Sequence, residues 1–350
     1  MVTLPVTWNG LPQEFVAGAS YQKFKSTSAY NASTYGQNGF VQNIYAPQAS
    51  QPKPVISLDA PGRAQQTQSA LFGQARLRAT SALTLLAGAR LSWVKNQDLD
   101  DPASDREENA RVVPYAGAVF DLTREWSLYG SYSSIFNPQS DKNFEGAFLA
   151  PRKGNQVEFG VKGEHLDRRV TSSLSVYRIE DVNRAITDPD PAHPNAAIAA
   201  GKVRSQGGEA ELTGRLTPEW NLTAGYGYNT TKQVVASPDT EGKPFTTTFP
   251  RHTFSLWSDY RLAAVPGLSL GGGVKVRSSI YSIDGGMRWG QGGYSVWSVQ
   301  AGYDLSTKLK ASLTVNNLFD RTYFDRPDGW TRQSYFGEPR NVMLTLAYKM

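Results

Sequence analysis

The side chains best suited to bond-making chemistry are few and scattered. The three histidines, His165, His193 and His252, fall on three separate segments, and none has the i, i+4 partner of a zinc-binding helix. With 0 Cys there is no thiol nucleophile, thiolate metal ligand or disulfide framework. Ser and Asp are abundant, but nothing singles out one Ser, one His and one Asp as a triad. The pieces "GYGYNT" (225–230) and "GGG" (271–273) lack the strand-to-helix context of a phosphate loop. The reading is no catalytic residue and no metal site.

Charge and composition narrow the classes further. The net charge of +5 comes from 36 Lys and Arg interleaved with 31 Asp and Glu, with no basic stripe or motif for nucleic acid. Aromatic and Gly enrichment (17 Tyr, 15 Phe, 8 Trp, 32 Gly) accompanies only 39% hydrophobic residues. That combination fits strands that are apolar on one side only. No apolar run approaches the roughly 18 residues of a membrane-spanning helix. The start, "MVTLPVTWNG", lacks the basic and apolar regions of a signal peptide.

The elements that must position any site are strands. In "LTLLAGARLSW", Leu83, Leu85, Ala87, Ala89, Leu91 and Trp93 share one face, while Thr84, Gly88, Arg90 and Ser92 share the other, with Leu86 as the exception. In "LSLGGGVKVR", Leu268, Leu270, Val274 and Val276 oppose Ser269, Lys275 and Arg277. In "GEAELTG", Ala210 and Leu212 oppose Glu209 and Glu211. Marking every such segment gives about fourteen strands, the first near 14–24 and the last near 340–350, with 2–8 as the stump of another. Short turns such as "LTRE", "LTPE" and "STK" alternate with long polar loops near 25–65, 97–109, 137–154, 181–203, 232–249, 280–293 and 319–339. Short connections at one end and long ones at the other are the asymmetry of an outer-membrane barrel. A propeller or sandwich has no reason for it.

Several segments carry a family resemblance. "NNLFDRTYFD" (316–325) followed by "YFGEPRNVMLTLAYKM" (335–350) resembles the closing segment of TonB-dependent outer-membrane receptors. "SLYGSYSSIFNPQS", "PRKGNQVEFGVKGE", "SQGGEAELTGRLTPEWNLTAGYGY" and "FPRHTFSLWSDYRL" match the same family in the same order. The "FNPQS" and "GNQ-x-E-x-G-x-K" wording is similar to ferric-siderophore receptors of the hydroxamate and pyoverdine kind. The resemblance implies an all-β, antiparallel transmembrane β-barrel of about 22 strands. About the last fourteen would lie here. It places residues 1–350 as one partial barrel, without the plug domain, TonB-contacting box or signal peptide. The implied partners are a ferric siderophore, the TonB complex through the plug region, the barrel-assembly machinery and the lipid bilayer. The implied location is the outer membrane of a Gram-negative bacterium. No cofactor is implied; iron would arrive only inside its chelator.

Such a receptor would grip its chelate with rigid aromatics on the loops. The candidates are Tyr30, Tyr35, Phe144, Phe148, Tyr281, Trp289 and Trp330, with Trp289 and Trp330 foremost because each stands mid-loop beside an Arg or polar partner. Loop-to-loop packing or an interfacial girdle is the plainer role for any one of them. Arg90, Glu209, Glu211, Lys275 and Arg277 are expected to face the lumen and meet a plug. In the last strand, Tyr348 and Met350 are expected to form the signal that the assembly machinery reads, in a family whose chains usually end in Phe. A passive porin and a TonB-dependent receptor for a non-siderophore ligand are the alternatives. An outer-membrane hydrolase is a third class.

Overall fold

The computed structural model describes residues 1–29, 58, 60–327 and 334–349. In chain order its strands are β1 (Val2–Trp8), β2 (Leu11–Ser28), β3 (Gly62–Arg78), β4 (Leu83–Asp98), β5 (Arg106–Asp121), β6 (Trp126–Asn137) and β7 (Arg152–His165). There follow β8 (Val170–Thr187), β9 (Ala197–Thr217), β10 (Trp220–Val235), β11 (His252–Arg261), β12 (Leu268–Arg277), β13 (Ile280–Asp284) and β14 (Met287–Gln291). The chain closes with β15 (Tyr294–Asp304), β16 (Leu309–Asn316), β17 (Phe324–Arg326), β18 (Tyr335–Phe336) and β19 (Asn341–Tyr348). Among the described residues one 3-10 turn, Pro102–Ser104, is the only helical element, and no helix is long and apolar enough to cross a membrane. Neighbours in the main sheet follow chain order from β1 to β12 and then take β15, β16 and β19.

The chain divides into two units. The first comprises Met1–Leu4, Phe15–Gln74 and Gly88–Val113. Within it the connection after β4 is a tight, hydrogen-bonded turn. Asp98 accepts from the Asp100 and Asp101 N–H groups at 2.9 and 3.0 Å, and Asp101 caps the 3-10 turn. Arg63 clasps this turn, donating to Asp100 from its backbone at 2.6 Å and from its guanidinium at 2.6 and 2.9 Å.

The second unit comprises Pro5–Glu14, Ala75–Ala87 and Pro114–Met350. Its ladder is antiparallel, and its register separates two faces. Leu128 stands opposite Val161, which stands opposite Leu174, and Leu174 opposite Ala210. The same face continues through Tyr226, Phe254, Val276, Leu313 and Leu344. The other face carries Ser131, Glu158, Tyr177, Asn229 and Thr253. The apolar face is uncovered: Phe159, Leu174, Val176, Leu344 and Leu346 are each more than half exposed. A contiguous exposed surface of this kind is unstable in water and stable against hydrocarbon.

Aromatic residues bracket that face. Trp126, Trp220, Tyr260, Tyr303 and Tyr348 stand on it near the short turns. Phe136, Tyr228 and Trp297 stand on it near the long connections. Trp220 and Tyr228 lie on one strand with a separation of about 20 Å normal to a membrane, from roughly 3.3 Å per residue and a tilt of about 40°. Two girdles flanking an apolar band of this height are the mark of a barrel wall.

The structure also shortens the loops read from sequence. The 181–203 region is mostly strand, because β8 runs to Thr187 and β9 begins at Ala197. There the β8–β9 register shifts between Val182 and Arg184 and again between Arg184 and Ala185, so the two-residue alternation fails, while Glu180 pairs with Lys202 at 2.7 Å and Arg204 at 2.9 Å. The 280–293 region folds into the β13–β14 hairpin, and 2–8 is a strand of the main sheet.

Candidate ligand-binding site

Two side-chain clusters occupy the long-loop end of the second unit. In the first, the Phe144 ring lies flat on His193, with centroids 4.3 Å apart and planes 10° off parallel. His193 is held between Asp188 and Asp190, at 3.5 and 3.7 Å. Phe148 lies beneath the Lys142 ammonium, 4.7 Å from the ring centroid. Asn143 organises the turn between them, its side-chain oxygen accepting from the Glu145 and Ala147 N–H groups at 3.1 and 2.8 Å. Beneath the cluster, buried Gln139 of "FNPQS" donates to the carbonyl oxygens of Ala150 and Asn183, at 2.5 and 2.7 Å. That motif is a clamp between loop and strand. Phe144 thus holds one connection to another, Phe148 braces its own connection through Lys142, and Phe144 still exposes 58% of its surface. A polar depression of about 440 Å³ lies beside them, lined in part by Asp141, Thr187, Asn195, Gln233 and Thr240.

The second cluster is the β13–β14 hairpin. The Arg288 guanidinium covers the Tyr281 ring at 4.1 Å, and Tyr281 donates its N–H to Thr247 at 2.8 Å. Trp289 pairs with Ser282 across the hairpin and is 38% exposed. Trp289 therefore keeps part of its surface open, while Tyr281 already carries a cation. The turn "DGGM" holds Gly285 and Gly286 at φ +54 and +78, the left-handed pair a two-residue hairpin loop requires. That signal was present in the sequence. Next to the hairpin, Arg277 pairs with Asp325 at 2.8 Å.

The remaining expected residues fall as follows. Glu209, Glu211, Lys275 and Arg277 share the polar face, Glu209 opposite Ser175 and Gly227, Lys275 opposite Ser255 and Val296. Arg90 donates to Ser20 and Ser92, at 3.0 and 3.2 Å. Tyr348 is on the apolar face opposite Leu309. Tyr30, Tyr35, Trp330 and Met350 lie outside the described residues. Sequence reading missed two polar groupings. Tyr129 donates to Glu158 at 2.6 Å in the middle of the polar face. Asp181 is shared by Arg152 and Arg184 near the loops, and Arg184 covers Phe245 at 4.6 Å. Among the described residues no group of His, Asp and Glu has metal-binding geometry.

Residues 2–318 match the family model described as TonB dependent receptor-like, beta-barrel. The chain belongs to the TonB-dependent receptor-like, beta-barrel family. Among characterised receptors it is 32% identical to the ferric-pyoverdine BN7/BN8 receptor of Pseudomonas putida, over 99% of this chain and 43% of that protein. It is 31% identical to the ferripyoverdine receptor of Pseudomonas aeruginosa, over 98% of this chain and 43% of that one. The structure superposes on the pyoverdine outer membrane receptor FpvA from Pseudomonas aeruginosa, solved bound to pyoverdine, with a TM-score of 0.85. The identity there is 29%, covering 99% of this chain and 52% of that one. The receptor chain thus spans less than half the length of these curated relatives. The family assignment turns the apolar face of the sheet into a lipid-facing wall and the polar face into the lining of a lumen.

Proposed function

We infer that this chain forms the C-terminal part of the barrel of a ferric-siderophore receptor in the Gram-negative outer membrane. In this reading it belongs to a barrel of about 22 strands that surrounds a plug. The receptor takes up its chelate with energy delivered through the plug by the TonB complex. A single observation carries the reading: one sheet that is apolar and uncovered on one face, polar on the other, and matched nearly end to end by ferric-pyoverdine receptors. Uptake makes and breaks no covalent bond, so the reading assigns no catalytic residue and no resident cofactor. Iron is cargo, held by its chelator.

In this view Phe144 and the open part of Trp289 are contacts for the chelate, with Tyr281 held ready beneath Arg288. Glu209, Glu211 and Lys275 are charges presented to a plug, as are Arg90 and Arg277. The test is uptake of radiolabelled iron from ferric pyoverdine by cells carrying the intact gene, with and without a working TonB. Uptake that stops without TonB supports the reading. Uptake that continues unchanged, together with ion conductance of the purified protein, would instead indicate a passive porin.

A further inference from the structure

The lipid-facing wall carries a depression of its own. A groove of about 900 Å³ runs along β9 on the apolar face, floored by Gly208 and Ala210. Phe159, Leu174 and Val176 form one side, and Tyr226, Tyr228 and His252 form the other. Ladder register places all of these on the apolar face, so the groove opens away from the lumen. The groove is a consequence of residue size. Two small residues stand between strands whose neighbouring residues on that face are branched or aromatic.

One end of the groove is polar. Arg178 and Gln206, paired across β8 and β9, close it toward the long loops. Arg178 is exposed, and among the described residues no carboxylate pairs with it. Just beyond, Glu180 is shared by Lys202 and Arg204, so the rim presents three cations against one carboxylate. Arg178 follows the first residue of β8 by about eight positions. That places it about 20 Å above the short turn, near the upper edge of a roughly 25 Å apolar band. An arginine at this height extends its guanidinium to the headgroups while its stem stays in hydrocarbon.

We propose that this groove seats an acyl chain of an anionic outer-leaflet lipid, with the lipid phosphate held at Arg178. The apolar trough would accept any acyl chain; the unpaired Arg178 and the excess positive charge of the rim select a phosphorylated one. The proposal rests on the membrane placement given under the proposed function. The same site does not require a siderophore or a plug, so it is independent of the cargo.

The test uses the intact protein, extracted in mild detergent from outer membranes and stripped of lipid. It is offered diphosphorylated lipid A, its dephosphorylated counterpart and phosphatidylethanolamine, and retained lipid is counted by native mass spectrometry. The expected result is preference for the diphosphorylated lipid by about fivefold, the ratio for one cation near an anionic surface. Arg178→Gln removes that preference and Arg178→Lys keeps most of it. Ala210→Phe, which fills the trough, lowers retention of all three lipids, and Leu313→Phe elsewhere on the apolar face changes nothing. Should Ala210→Phe fail to fold, the two Arg178 variants still decide. Equal retention of phosphorylated and dephosphorylated lipid by a folded wild type overturns the groove proposal alone. Absence of the wild type from the outer membrane overturns the membrane placement with it.

Discussion

Asn317 holds Glu338: its side-chain amide donates to the Glu338 carbonyl oxygen at 3.0 Å, across a connection of 21 residues. The same amide donates to the Arg321 carbonyl at 2.9 Å, and its oxygen accepts the Arg321 N–H at 2.8 Å. Asn317 is only 2% exposed and takes φ +49, a backbone conformation Asn tolerates better than most residues. Asp320 completes the joint by accepting the Arg340 N–H at 3.1 Å. The two halves of the closing motif, "NNLFD" and "GEPRN", are therefore one hydrogen-bonded unit that delivers the chain into β19.

Asn317→Ala removes three side-chain hydrogen bonds, to the Arg321 N–H and to the Arg321 and Glu338 carbonyl oxygens, from a position that is itself buried. The expected cost is about 2 kcal/mol, the scale of an unsatisfied buried polar group. It is read as a lower urea midpoint for loss of the folded, heat-modifiable band. Asn317→Asp keeps the acceptor and loses both donated bonds, so it should fall between. An alanine variant as urea-resistant as wild type would show that the joint adds nothing to β19 docking.

How far this was legible in the sequence depends on what carried each strand's alternation. Leu268, Leu270, Val274 and Val276 against Ser269, Lys275 and Arg277 gave both the strand and its two faces correctly. The upper parts of β8 and β9 were hidden because register shifts on either side of Arg184 break the two-residue alternation there. Family wording located "FNPQS" but not its work, since Gln139 acts on Asn183, a residue distant in sequence. The stacking of Phe144 on His193 was equally out of reach, because loop pairing follows from the sheet register beneath.

The Arg63–Asp100 clasp predicts a pH response in the turn after β4. Hydrogen bonds from the Arg63 guanidinium and N–H hold the Asp100 carboxyl below the usual carboxylate range. A depressed acid contributes while it is ionised, so the clasp is intact above the ordinary value of about 3.9 and is lost as pH falls through the lowered one. Cleavage of the 97–105 turn by an acid-active protease should rise in that window. Asp100→Asn should bring comparable susceptibility at neutral pH, and high salt should narrow the difference because the pair is exposed. Identical neutral-pH cleavage of wild type and variant would count against the clasp.

The two loop clusters predict unequal effects on ligand binding. Under the proposed function Trp289 contacts the chelate, so Trp289→Ala should weaken binding of ferric pyoverdine about tenfold, or ~1.4 kcal/mol. Phe144 is partly engaged with His193, and Phe144→Ala should cost less in affinity while loosening the 188–196 segment. Arg288→Gln, which uncovers Tyr281, should change affinity by at most about fivefold, the worth of an exposed cation–π contact. Fluorescence titration measures all three. Should Phe144→Ala prove the most damaging, the chelate site belongs at the first cluster and Trp289 is a packing residue.

The last strand predicts opposite outcomes for two substitutions near the C-terminus. Val342, Leu344, Leu346 and Tyr348 form its lipid face, each about 64 to 66% exposed, and pair with β16 through Val315, Leu313, Ala311 and Leu309. Tyr348 falls at the short-turn end of that face, in the lower aromatic girdle, where an amphipathic ring is favoured. Tyr348→Asp puts a charge at the same depth and removes the aromatic that the assembly machinery is expected to read. Burial cost there is modest, about 0–1 kcal/mol near the interface, so a large loss of outer-membrane protein would report failed recognition rather than failed stability. Met350→Phe adds a second aromatic two positions beyond Tyr348 and should leave levels equal or higher. The comparison is the amount of folded protein in the outer-membrane fraction. Equal levels for Tyr348→Asp and Met350→Phe would mean that the closing strand is recognised by something other than its terminal aromatic pattern.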